Sequence, residues 1–331
     1  MNAPLDIEFW SRIREFDRIL ISGCGGGYDF MQGIPLYFAL KSMGKSVFLG
    51  NMSFTELGNA NGFVVTKEKN PAQSLVCMKI TSQTNLNRND TYFPEKYLSE
   101  WFMNEFEEDV PVYAFKRRGV DKVALAYQSV CQIHDIQCII LVDGGSDSLM
   151  AGDENELGTP LEDIISIFAV KSTKIPSFLV CLGIGADRYH GVSDCSTFRA
   201  IAELTQKNGF LGSISLTMSM PEVRAYYDSS AYVESKMPQQ SIVGHYIKSA
   251  IIGKFGNYNT MERTKKQKLF VNPFMGQYYF FDLVTVAKRV KYADFCEETK
   301  NATEFIVGLD HYRLELKHPI VEEIPRTNEI L

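Results

Sequence analysis

Three apolar runs in this 331-residue chain break into glycine followed two residues later by aspartate. They read Gly23-Cys24-Gly25-Gly26-Gly27-Tyr28-Asp29, Asp143-Gly144-Gly145-Ser146-Asp147 and Gly183-Ile184-Gly185-Ala186-Asp187. Glycine lacks Cβ, so its amide can approach a ligand closely and adopt positive φ. Successive N–H groups then form an anion nest, aided by the N-terminus of a following helix. Gly23, Gly25, Gly26, Gly27, Gly144, Gly145, Gly183 and Gly185 are therefore candidates to cradle a phosphate or carboxylate. The aspartates, Asp29 among them, could instead hold a sugar hydroxyl or a divalent cation. Asp143 and Asp147 could hold Mg²⁺ or another divalent cation, which favours one or two carboxylates plus water and substrate phosphate. Asp153 and Glu154, in the acidic run that follows the second turn, extend that candidate metal set. Any one such turn serves equally as a plain tight turn with a capping aspartate; three alike favour a ligand site.

Proton transfer near neutral pH needs a group that titrates there. His190, three residues after Asp187, is the best-placed histidine, and Asp187 or His190 is the expected proton carrier. Lys116-Arg117-Arg118 could offer positive charge to a phosphate, although a solvated basic turn is the simpler reading. Cys24 lies in a glycine turn, but no base can be paired with it. The first turn fails the dinucleotide fingerprint. GxGxxG from Gly23 would need glycine where Tyr28 stands, and the acidic residue expected at the end of the second strand is Asn51.

Several elements must position these groups. Strands are expected at 18–22, 46–50, 112–115, 138–142, 177–182 and 212–217. Helices are expected at 5–16, 33–43, 97–107, 120–133, 159–171 and 196–208. Continuous Val/Ile/Leu runs suit strands covered on both faces. The repeating unit of strand, turn and helix predicts an α/β fold: a doubly wound, mainly parallel Rossmann-like sheet. Such sheets bind ligands beyond the carboxyl ends of their strands, which puts all three turns on one edge. Residues 1–218 are read as the ligand-binding core. Residues 219–331 are read as a helical and hairpin extension packed on it, serving as lid or dimer surface. "KLFVNPFMGQYYFFDL" would be a hairpin or a small cap, 85–90 an exposed loop, and 310–331 an extended arm.

Composition narrows the class. With 45% hydrophobic and 22% charged residues the chain is ordinary globular material. A net charge of −6 argues against nucleic-acid or anionic-membrane partners but permits a small anionic or nucleotide-like ligand. No apolar run reaches the ~20 residues that span a bilayer, and the first residues lack the apolar core of a secretory signal. Seven cysteines without a CxxC pair fit a reducing, cytoplasmic setting.

"ILISGCGGGYDFMQGIPLYFAL" with "GNMSF", "LVDGGSDSLMAGDENELGTPLED", and "GIGAD" followed by "HGVS" together resemble the domain of unknown function 1152 across residues 18 to 217. That resemblance implies a Rossmann-like α/β protein and brings no activity. Within its blocks Gly25, Gly26, Asp29, Ser53, Asp143, Gly144, Asp147, Asp153, Glu154, Asp187, His190 and Ser193 are the positions to test. From the residues themselves, the expected function is an enzyme on a phosphorylated or nucleotide-like small molecule, a hydrolase or transferase. The alternatives are a nucleotide or nucleotide-sugar sensor without turnover and, further off, a nicotinamide-dependent oxidoreductase. A homo-oligomer is compatible with all three.

Overall fold

The computed structural model describes residues 6–67, 75–86, 92–264 and 270–316. Its frame is a nine-stranded sheet in the order β3-β4-β5-β2-β1-β6-β7-β11-β8. The strands are β1 (Arg18–Gly23), β2 (Ser46–Ser53), β3 (Phe63–Lys67), β4 (Leu75–Ile80), β5 (Val112–Lys116), β6 (Cys138–Asp143), β7 (Ser177–Leu182), β8 (Phe210–Ser215) and β11 (Gln277–Asp282). From β5 through β7 neighbouring strands run parallel. Strands β3, β4 and β11 run antiparallel to their neighbours. Two further short strands, β9 (Gly256–Asn257) and β10 (Phe270–Val271), pair apart from this sheet.

Strand faces alternate as the pleat requires. Ile19 and Ile21 of β1, with Cys138, Ile140 and Val142 of β6, enter one core; Leu20, Ile139 and Leu141 enter the other. Helices α1 (Glu8–Ile13), α2 (Ile34–Ser42), α3 (Pro94–Phe106) and α7 (Pro221–Ser235) cover the first face. Helices α4 (Val120–His134), α5 (Pro160–Thr173), α6 (Asp194–Gln206) and α9 (Leu283–Ala287) cover the second. Helices α8 (Ile242–Ile251), α10 (Ala293–Glu298) and α11 (Ala302–Glu315) complete the described chain. No described helix is long and apolar enough to cross a membrane.

The expected Rossmann-like α/β fold is present, and the core strands lie where periodicity placed them. Two regions differ from expectation. Residues 55 to 95, whose sequence is less regular and where no strand is expected, contribute the antiparallel strands β3 and β4. The aromatic tail segment forms no hairpin: β11 inserts between β7 and β8, with Tyr278 and Phe280 in one core and Tyr279 and Phe281 in the other. Residues beyond 218 thus supply an inner strand of the main sheet. Positions 310–315 belong to α11 and Leu316 caps it; residues 317–331 of the expected arm, and 87–90 of the expected loop, fall outside the described residues.

The chain leaves β1 toward β2 on one side, while β6 lies on the other side of β1. Strand order therefore reverses between β1 and β6, where a crevice opens at their carboxyl ends.

Candidate active site

Each of the three glycine turns leads into a 3-10 turn: Asp29–Gly33, Asp147–Leu149 and Ala186–His190. The carboxylates of those turns meet at the β1/β6 crevice. A cavity of ≈ 280 Å³ there is lined by Gly25, Gly26 and Gly144, by Asp29, Asp143, Asp147 and Asp187, and by His190 at an exposed rim. Two acids that sequence reasoning passed over, Glu162 and Asp163, also line it. A larger cavity of ≈ 520 Å³ beside β3 and α4 is lined by Phe63, Val65, Tyr113 and Ile133 and by no carboxylate.

Asp163 is the deciding addition. It sits in the first turn of α5 and is only 2% exposed, and its Oδ1 has no hydrogen-bond partner. One carboxylate oxygen each from Asp29, Asp143 and Asp163 all lie within 4.8 Å of one another. At an effective dielectric of about 20, two charges at that spacing repel by about 3–4 kcal/mol. Protons or a cation must relieve this. Burial pushes the Asp143, Asp163 and Asp187 carboxyls well above their usual range, and the charge of Asp147 pushes them further. Burial likewise raises Asp29, to about 7, against an opposing hydrogen bond from the Gly25 amide. An all-carboxylate donor set with one unsatisfied oxygen fits a hard divalent cation such as Mg²⁺ or Mn²⁺. The signal for Asp163 was present in "LGTPLED", but an acid in a first helical turn reads equally as a dipole partner.

The glycine amides do something other than expected. Gly25 N–H donates to Asp29 Oδ2 at 2.7 Å. The Ser146 amide donates to Asp187 Oδ2 at 2.6 Å. The nest is filled by the chain's own carboxylates, which the amides aim and hold. Gly25 and Gly144 are needed for a second reason: a Cβ at Gly25 would lie 2.7 Å from Asp29 Oδ2 and 2.8 Å from Asp163 Oδ1, and one at Gly144 2.8 Å from Asp29 Oδ1. Gly25→Ala puts a methyl between two of the candidate cation ligands. We expect it to weaken Mn²⁺ binding at least about tenfold, as a misplaced ligand pair does, measured by isothermal titration calorimetry.

The remaining candidates separate into groups. Asp147 Oδ2 accepts from the Thr159 amide at 2.8 Å and its hydroxyl at 3.0 Å, bracing the entry to α5. Asp143 accepts from the hydroxyl of Ser148. Gly23, Gly27 and Gly145 shape the turns behind the cavity, Gly27 against the Phe54 ring and Gly145 against Asp187. Gly183 and Gly185 take φ of 116° and 92° and face Ile247 and Asn272, not the cavity. Ser53 is buried, its hydroxyl accepting from the Thr55 amide at 3.2 Å. Asn51 Nδ2 bridges Gly27 O and Glu95 Oε1, both at 2.9 Å. The strand-end residue that a nicotinamide ribose would require is thus committed to holding the first turn. Cys24 is fully buried, and burial with the neighbouring Asp163 charge raises its thiol well above its usual range, the opposite of an activated nucleophile.

Asp153 and Glu154 require correction as metal ligands. Neither lines the cavity. Arg199 pairs with both, at 3.1 and 3.0 Å, and Lys291 pairs with Asp153. Glu154 also accepts the amides of Ala151 and Gly152 at 2.9 and 2.8 Å. From α11, Arg313 donates to the Gly152, Glu154 and Asn155 carbonyls. These contacts fasten the loop after β6 to α6, to the segment before α10 and to α11. Asp153→Asn is expected to cost about 1–3 kcal/mol of stability, as charged hydrogen bonds do, while leaving the Mn²⁺ dissociation constant unchanged; paired denaturation and calorimetry check this.

Residues 75–308 match the family described as Protein of unknown function (DUF1152). The chain belongs to that family. The match begins later than the sequence blocks suggested and runs further, so in this DUF1152 protein it takes in the second and third turns, Asp163 and β11 but not Asp29. No curated protein and no solved structure matches the chain.

Proposed function

We propose that this DUF1152 protein is a divalent-cation-dependent enzyme acting on a phosphorylated or nucleotide-like small molecule, as a hydrolase or transferase. One observation carries the reading: the Asp29, Asp143 and Asp163 oxygens converge around an unpartnered, buried Asp163 Oδ1 at the strand-switch crevice. Asp29, Asp143 and Asp163 would hold the cation. When bound, such a cation would neutralise charge on a phosphoryl group and lower the pKa of a water, so that it attacks after giving up a proton. The amides of Gly25 and Ser146 keep the Asp29 and Asp187 carboxylates oriented. His190 at the open rim could exchange a proton with solvent.

The test is direct. Purified protein is titrated with Mn²⁺ and Mg²⁺ by calorimetry, then incubated with a panel of nucleotides and sugar phosphates while phosphorus NMR follows product. Cation binding with cation-dependent turnover supports the enzyme. Absence of cation binding refutes it. Cation-dependent ligand binding without product instead supports the sensing alternative, which is favoured by the use of Asp147 and Asp187 as braces.

A further inference from the structure

A second cleft, of ≈ 330 Å³, adjoins the carboxylate cavity. Lys116, Arg117 and Arg118 line it, with Glu56 its one acid. The charge balance of that lining, three cations against one anion, is opposite to that of the cavity, where six carboxylates meet one histidine. The two are joined. Phe54 lines both, and Arg117, from the basic cleft, pairs at 2.8 Å with Glu162 of the acidic one.

Topology explains the adjacency. Lys116 ends β5 and lies in register with Ser53 at the end of β2, so the cations emerge on the same sheet edge as the glycine turns. The turn after β2 carries Phe54, whose ring lies over Gly26 and Gly27 and stays 53% exposed. A large aromatic left open between an acidic and a basic cleft is a platform for a planar ring. Lys116 is held by Glu56 at 2.8 Å, but the Glu56 side chain is 55% exposed. Exposed pairs of this kind contribute little, so an incoming phosphate displaces Glu56 readily. The Gly25 and Ser146 amides do not serve the anion, because Asp29 and Asp187 already occupy them.

We propose that the Lys116–Arg118 cleft is the phosphate subsite of the same active site, so that the substrate carries two phosphate groups on a sugar that also bears a planar ring, as a nucleoside bisphosphate does. One phosphate goes to the cation at Asp29, Asp143 and Asp163, the ring lies on Phe54, and the second phosphate goes to Lys116 and Arg118. This rests on the reading of the carboxylate cavity as a cation site.

The experiment uses adenosine 3′,5′-bisphosphate and 5′-AMP as probes, titrated by calorimetry into Mn²⁺-saturated protein, with Mn²⁺ affinity measured separately by electron paramagnetic resonance. The bisphosphate is expected to bind at least about tenfold more tightly than AMP, the scale of added charge-assisted hydrogen bonds. The double variant Lys116→Ala/Arg118→Ala should reduce that preference to about twofold or less. Phe54→Leu should weaken both nucleotides about tenfold and Phe54→Tyr should restore them, as stacking requires. Mn²⁺ affinity should be unchanged throughout. Equal affinity for the two nucleotides, or a preference that survives the double variant, overturns the subsite and leaves the cation reading standing. Failure of the wild-type protein to bind Mn²⁺ overturns both.

Discussion

Asp163→Asn is expected to abolish divalent-cation binding, at least about 100-fold in affinity, since loss of even a ligand's supporting partner costs about 10–100-fold. Asp163→Asn is also expected to leave the protein folded and to make the cation-free form more stable. Both expectations follow from one fact. Asp163 Oδ1 is buried with no donor, among Asp29 and Asp143 oxygens within 4.8 Å. A carboxylate so placed is a liability unless a cation sits on it, because desolvation and like charge both oppose its ionised form. An amide of the same shape carries no charge to repel. Calorimetric Mn²⁺ titration and urea denaturation of the chelated protein measure the two effects. A variant that binds Mn²⁺ as tightly as wild type removes Asp163 from the site. A variant less stable than wild type in chelator would show that the carboxylate is a structural partner instead. Ordinary buried-pair mutants behave in that second way, losing stability when one partner goes; the Asp153–Arg199–Lys291 group is the internal contrast.

The second large effect is on pH dependence. Burial, with the Asp147 charge beside it, raises the Asp29 carboxyl from 3.8 to about 7, while Asp143, Asp163 and Asp187 rise in the same direction. A folded state with raised carboxyl pKa values holds protons that the unfolded chain has released. Stability from these groups is therefore full below about pH 4 and is lost as pH rises toward 7. For Asp29 acting alone the change is on the order of 4 kcal/mol. With chelator present, the urea midpoint should fall as pH rises from 4 to 7. A divalent cation competes with those protons, so its affinity should rise over the same interval and its stabilising effect should grow with pH. Asp153 behaves oppositely: Lys291 and Arg199 outweigh burial and lower its carboxyl, so its contribution is lost only as pH falls below its ordinary range. A urea midpoint in chelator that is flat or rising between pH 5 and 7 would contradict the crowding of ionisable carboxyls at this crevice.

These predictions depend on residues that differ in how openly the chain announces them. The parallel strands were readable because each is a continuous apolar run closed by glycine, and burial on both faces leaves that mark in any register. The meeting of Asp29, Asp143, Asp147 and Asp187 was readable because strands of one parallel sheet end on one edge. Their further use was not. The Gly25 amide is a candidate ligand donor in the sequence and holds Asp29 in the molecule, as the Ser146 amide holds Asp187.

Local pattern thus established the strand-turn-helix units, the common edge and the acidic character of what lies there. Three things were left to the packing of distant segments. The first turn of α5 delivers Asp163 to the cluster across more than 130 residues from Asp29. Arg199, Lys291 and Arg313 draw Asp153 and Glu154 away from it. An aromatic run near the C-terminus becomes β11, an inner strand between β7 and β8. The physical reason is the same in each case. Periodicity records how much of a residue is buried, whereas which charge or strand it meets depends on chain closure over long separations, and nothing within a single segment encodes that partner.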